Sequence, residues 1–218
     1  MQNLTDVDKQ WQEQAFESFF KMVNAPDGNF EAIANLSKTL NNTETLDIII
    51  EFLSRNSQGK QAFLDHPRLG YVDLQQLLTL PKDTLGYVYA SHMMENGTMP
   101  LQMSKSDNDY QFFITHIRET HDLWHVVTGF DTDIKGEIQL EAFYVAQLYA
   151  SRFWLALIAK NLLKVVVDDI ETAGEYLNAI AQGWTLAQKA KPLFGIPWNT
   201  LWSTSLKDLR ISLNIIHS

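Results

Sequence analysis

The sequence predicts an all-α protein, a single irregular multi-helix bundle, and three observations carry that reading. Apolar residues recur at i+3 and i+4 spacings from end to end, the period of a helix with one buried face. Alternation of apolar and polar residues never persists, and no Asn-Gly or Asp-Gly turn joins two alternating runs. The one β-branched run, Val165 to Val167, is too short to support a sheet, and no internal repeat or low-complexity stretch appears. At 218 residues, 45% hydrophobic and 20% charged, the chain fits one domain over 1–218 with a sizeable core.

The first helix is expected over Asp6 to Asn24, with Trp11, Ala15, Phe19, Met22 and Val23 on one stripe and Pro26-Asp27-Gly28 as its stop. A second is expected over Phe30 to Leu40. A third, Thr45 to Ser54, is so rich in Leu and Ile that it should be buried on most sides. Gln58 to Asp65 ends at His66-Pro67, because the residue before proline is pushed out of the α region. Val72 to Thr79 and Thr84 to Glu95 follow, the latter closed by Asn96-Gly97. Met103 to Tyr110 reads as a loop, then Tyr110 to Val127 as a strong helix ending at Gly129. One long helix should run from Asp133 to about Val167, where Ala142, Ala146 and Ala150 form a small-residue stripe that admits a neighbouring helix. Glu171 to Lys189 and a short helix from Ser205 complete the set.

Composition removes several functions. The chain has no cysteine, which excludes disulfides, thiol catalysis and Cys-based zinc sites. A net charge of −9 argues against nucleic acid, since phosphate binding needs clustered Lys and Arg. The N-terminus lacks a basic region followed by an apolar run, and the longest apolar run, Phe153 to Ala159, is far short of the ~20 residues of a spanning helix. An intracellular protein, soluble or peripheral to a membrane, is the expectation.

The chemistry concentrates in residues 118–143. His121 and His125 are one helical turn apart, about 40° from each other on the wheel, and Asp122 lies ~100° round from His121. Gly129 ends that helix, and Asp133 is a plausible N-cap for the next. The connection is short enough to make the two helices antiparallel neighbours, which brings Glu137 to the height of His125. Two imidazoles and two carboxylates suit a divalent metal, zinc first and Fe²⁺ or Mn²⁺ next. Glu141 and Arg118 are candidates for the surrounding shell, Arg118 orienting Asp122. A HxxxH pair alone is more often accidental than metal-binding; the adjacent Asp and the hairpin-placed Glu strengthen it.

Two other readings compete. The pattern is close to the zincin HExxH, but Asp122 replaces the Glu that serves as general base there, against peptidase activity. His121-Asp122 also resembles the doublet of HD phosphohydrolases, for which His92 and Asp168 or Asp169 are the available partners. Taken singly, His66, His92 and His116 read as solvated or locally satisfied, and Met93, Met94 and Met99 as core or gap-filling residues. No phosphate-cradling glycine loop and no Gly-x-Ser-x-Gly elbow occurs.

His121-Asp122-Leu123-Trp124-His125, eleven residues, then Glu137, resembles the HDxxH-x11-E signature of the coenzyme Q (ubiquinone) biosynthesis protein Coq-four family. LPKDTLGYVYASHMMENG (80–97) is similar to its LPxxTLGxxYxxFMxxNG block, and AKPLFGIPWNTLW (190–202) to its C-terminal block, so an ordered resemblance covers about 66–212. It implies an all-helical fold, a homodimer, and work beside other quinone-biosynthesis proteins at a membrane surface. It implies metal ligation by His121, Asp122, His125 and Glu137 and an apolar channel for a polyisoprenoid tail. It further implies either a non-catalytic lipid-binding scaffold or oxidative decarboxylation of a prenylated ring precursor at C1. Phe112, Phe113, Phe153, Trp154, Leu157 and Ile158 are the residues that could line the channel; equally, they could be plain core.

Overall fold

Helical caps account for where each element begins. In the computed structural model, which describes residues 6–26, 29–149 and 151–216, Asn and Asp side chains close most helix starts. Asn29, Asn42, Asn56, Asp73, Asn108 and Asp133 each accept a hydrogen bond from a backbone N–H of the first turn, as N-caps do. Among the described residues there are eleven α-helices and no strand: α1 (Asp6–Val23), α2 (Phe30–Leu40), α3 (Thr43–Leu53), α4 (Ser57–Asp65), α5 (Leu74–Leu77), α6 (Leu85–Glu95), α7 (Asp109–Thr128), α8 (Ile134–Leu148), α9 (Arg152–Asp168), α10 (Ala173–Lys189) and α11 (Leu206–Ser212). The all-α bundle is as expected. Asp27, Gly28 and Ala150, which figured in the expected helix stop and small-residue stripe, lie outside the described residues.

Several boundaries depart from expectation for physical reasons. The helix expected from Asp133 to Val167 is two helices, α8 and α9. The chain turns at Tyr149, whose φ of 53° lies where a side chain is strained, and the Tyr149 ring stacks on Phe52 at 4.8 Å. α3 is buried along Leu46, Ile49 and Leu53 rather than on most sides, and Ile48 is exposed. His66 leaves the right-handed region before Pro67 as expected, but enters the left-handed one (φ 45°, ψ 58°). The 72–79 segment is helical only over Leu74–Leu77, and a 3-10 turn at Ile170–Thr172 precedes α10.

Two apolar clusters share the bundle. The larger gathers α3 to α8 and the C-terminal segment around Leu123, Trp124, Phe143 and Phe194. The smaller joins α1, α2 and α9 through Met22, Leu36, Leu40, Phe153 and Leu157, with Trp11, Ala15 and Phe19 of the predicted α1 stripe packed on it. Trp154 touches both, ending a stack of rings in which Trp124 and Tyr144 are 4.4 Å apart and Tyr144 and Trp154 4.2 Å. α10 runs close along α8. A Cβ on Gly183 would sit 2.0 Å from the Gln139 carbonyl, so only glycine permits that approach. The first N–H groups of α6, which have no partner inside a helix, are met by the C-terminal segment: Leu85 N donates to Thr204 O and Gly86 N to Trp202 O. Among the described residues no helix is long and apolar enough to cross a membrane.

Candidate metal centre

The α7–α8 hairpin builds the centre from short-range instructions. α7 ends at Gly129 (φ 72°), whose N–H bonds the His125 carbonyl, and Asp133 caps α8 by accepting from Gly136 N at 2.7 Å. A Cβ at Gly136 would lie 1.9 Å from the Asp131 carbonyl, so this position must be glycine for the turn to close so tightly. Glu137 follows at once, on the first turn of α8.

The closure brings His125 Nε2 to 3.3 Å from one Glu137 oxygen and His121 Nε2 to 3.7 Å from the other. One ligand atom from each of the three residues lies within 4.8 Å of the others. His125 is 1% exposed, and its Nδ1 is 3.1 Å from the Phe130 carbonyl. A carbonyl can only accept, so Nδ1 carries the proton and Nε2 presents a lone pair. That buried Nε2 makes no hydrogen bond, yet it faces a carboxylate, which is also an acceptor. Two acceptors at this distance need a cation between them, a metal ion or a proton. The donor set of two imidazoles and a carboxylate fits a divalent first-row ion.

Electrostatics follow from this crowding. Burial opposes ionisation of Glu137, but the neighbouring imidazoles of His121 and then His125 outweigh it and hold the carboxyl at about 2. Burial likewise disfavours charging His121, yet Glu137 and then Asp122 lift it above its ordinary value. Tyr144, buried on α8 with its hydroxyl 3.4 Å from His121 Nδ1, is pushed well above the usual phenol range by burial and by the charges of Glu137 and Asp122.

Three of the four expected ligands therefore come together, and Asp122 stands outside the group. It lies ~100° round α7 from His121, and its charge is felt by Tyr89 and His92 of α6 as well as by His121 and Tyr144. Arg118 is exposed and forms no ion pair with Asp122 among the described residues. Glu141, one turn beyond Glu137, is buried and accepts a hydrogen bond from Asn161 of α9 at 3.1 Å. Burial and the Glu137 charge push its carboxyl up to about 8, against the opposing charge of Lys160.

The six apolar candidates divide between regions. Phe112 and Phe113 pack around Phe194 in the larger cluster, while Phe153 and Leu157 belong to the smaller one and Trp154 bridges the two. Ile158 is buried on α9. Two clefts, of about 430 and 610 Å³, lie elsewhere: one between α6 and α11 beside Arg210, the other between the α7–α8 turn and α10.

Sequence reasoning gave His92 only as a partner in the phosphohydrolase reading and did not single out Tyr89. His92, read singly as solvated or locally satisfied, lies half-buried with its ring 6.3 Å from that of His125. The clue was available, because His92 stands where the resembled block has Phe. Tyr89, one turn earlier on α6, is fully buried and its hydroxyl has no hydrogen-bond partner. Asp168 and Asp169, the partners available to a phosphohydrolase reading, are exposed at the end of α9 and outside the three-residue group.

The family model described as "Coenzyme Q (ubiquinone) biosynthesis protein Coq4" matches residues 5–218. The mitochondrial ubiquinone biosynthesis protein COQ4 homolog of Anopheles gambiae is 24% identical over 200 residues, covering 85% of this chain and 66% of that protein. Its Danio rerio counterpart is 28% identical over 193 residues, covering 85% of this chain and 69% of that protein. The chain thus spans about two thirds of the length of these relatives. A crystal structure from Nostoc punctiforme, whose name assigns it to ubiquinone biosynthesis, superposes with a TM-score of 0.85 at 22% identity, covering 94% of this chain and 99% of that one. At that identity the likeness speaks for the fold.

Proposed function

From the premise that the chain belongs to the coenzyme Q (ubiquinone) biosynthesis protein Coq4 family, we propose that it binds a polyprenylated ring precursor at a divalent-metal centre and oxidatively decarboxylates it at C1. The observation that carries the reading is the buried His125 Nε2, a lone pair without a hydrogen bond, turned on the Glu137 carboxylate. His121, His125 and Glu137 would hold the ion, zinc first, with Asp122 at its edge. A bound divalent ion would supply a Lewis acid for the aryl carboxylate.

The chain's own residues prepare this. The Phe130 carbonyl fixes the His125 tautomer so that Nε2 faces inward. Glu137 stays ionised through the working pH range. His121 and Glu137 are 29% and 38% exposed at their side chains, leaving an edge by which a ring can enter. An isoprenoid tail would run from that edge along the apolar helix faces, with Trp154 at the junction of the two clusters. A membrane contact is supported by the large apolar side chains left exposed on α9 (Leu155, Leu163, Val166 and Val167) and on α10 (Leu177 and Trp184).

Exchanging a ring carboxylate for a hydroxyl is a two-electron oxidation, so the assay supplies dioxygen with a short-chain prenylated hydroxybenzoate. The metal-loaded protein should release CO₂. Glu137→Ala should lose turnover and keep the apolar part of binding. Absence of CO₂ with zinc, iron or manganese, with or without oxygen, would replace catalysis by the reading of a lipid-binding scaffold for other quinone-biosynthesis proteins.

A further inference from the structure

We propose that Tyr89 is a substrate-contacting residue whose buried hydroxyl donates a hydrogen bond to a neutral oxygen substituent, such as a phenol hydroxyl, on an aromatic ring bound beside the metal centre. The inference rests on the reading of the preceding subsection and adds a specificity determinant from a different helix.

The geometry begins with α6. Residues three apart on a helix share a face. His92 shows which face this is, because its ring lies 6.3 Å from that of His125 at an interplanar angle of 24°. Tyr89, three residues earlier, therefore faces α7 as well, close enough to Asp122 to feel its charge. Its ring is held by stacking on Trp202 at 5.4 Å, and Trp202 is anchored in turn by its carbonyl accepting from Gly86 N. The phenol is thus fixed in place from below and fully enclosed, and its oxygen has no partner.

Buried hydroxyls in proteins are nearly always paired, so a fixed and unpaired one calls for a partner from outside the chain. His125 Nε2 is in the same condition on the facing helix. Tyr89 thus adds a second unpartnered buried polar atom, on α6, to His125 Nε2, which faces Glu137 of α8, and a polar ring bound at the centre could meet both. A phenol hydroxyl suits this position, because it can accept from Tyr89 and still give its own proton to an acceptor.

The test uses the metal-loaded full chain and two probes, 3-geranyl-4-hydroxybenzoate and 3-geranylbenzoate, which lacks the hydroxyl. Binding is read by calorimetry, and folding and metal content are checked by thermal melting and metal analysis. The wild type should prefer the hydroxylated probe by about tenfold, the scale of one neutral hydrogen bond. Tyr89→Phe should abolish that preference, binding both probes as the wild type binds the deoxy one, with metal content unchanged and a melting temperature no lower. A variant that keeps the full preference would overturn the role of Tyr89 and leave the metal-site reading intact. A wild type that binds neither probe would overturn that reading, and this inference with it.

Discussion

Two histidines on α7, nine residues apart and almost equally buried, do opposite things with their second nitrogen. His116 is 2% exposed; its Nδ1 bonds the Pro67 carbonyl and its Nε2 accepts from Gly195 N–H. It is stitched between two loops, with Phe112 and Phe194 rings on either side. His125 is 1% exposed and its Nδ1 is equally committed, to Phe130, but its Nε2 has no hydrogen bond and confronts Glu137. Type and burial do not tell the two histidines apart. The accounting of both nitrogens does.

The largest expected effect lies on the structural side. His116→Ala leaves a cavity and strands the Pro67 and Gly195 groups, which should cost about 3–4 kcal/mol in denaturant unfolding. His125→Gln, measured on metal-free protein, should cost under about 1 kcal/mol, because no native bond to Nε2 is lost. Equal costs would break the comparison.

Acid should sharpen it. Burial pushes His116 down to about 4, against the Pro67 bond that favours its charged form, from about 6.5 in the unfolded chain. A second N–H at Nε2 would meet the N–H of Gly195 head-on. With the folded value depressed, the unfolded state takes up the proton first, so the stability contributed is present above about pH 6.5 and lost as pH falls towards 4. The decline should approach about 3 kcal/mol and be absent from His116→Gln.

Glu141 has the opposite sign. Its folded value is raised to about 8, so its contribution is full below the unfolded carboxyl value and lost as pH rises towards 8. Glu141→Gln should remove that slope and gain about 3 kcal/mol at pH 7. Arg118→Ala, on the solvent side of α7, should change stability by less than about 0.5 kcal/mol and leave metal content alone.

The residues that were legible in the sequence are those placed by local rules. Gly129 and Asp133 announce the α7–α8 turn, and the turn alone delivers Glu137 to His125. The break at Tyr149 was not legible, because no Gly or Pro marks it and apolar periodicity continues on both sides. At the break the Tyr149 ring stacks on Phe52, almost a hundred residues away. Adjacency to His121 made Asp122 legible as a candidate, and it lies outside the three-residue group. His92 comes to lie beside His125 only because α6 docks on α7 with its N-terminus tied to the C-terminal segment, a tertiary fact without a local signature.

The central claim is that the lone pair on His125 belongs to a divalent ion. Metal analysis of the purified full chain, after exchange into zinc and removal of excess, addresses it most directly. One ion per chain is expected in the wild type, with none retained by His125→Gln or Glu137→Gln while both variants melt cooperatively. A full complement of metal in His125→Gln would contradict the account.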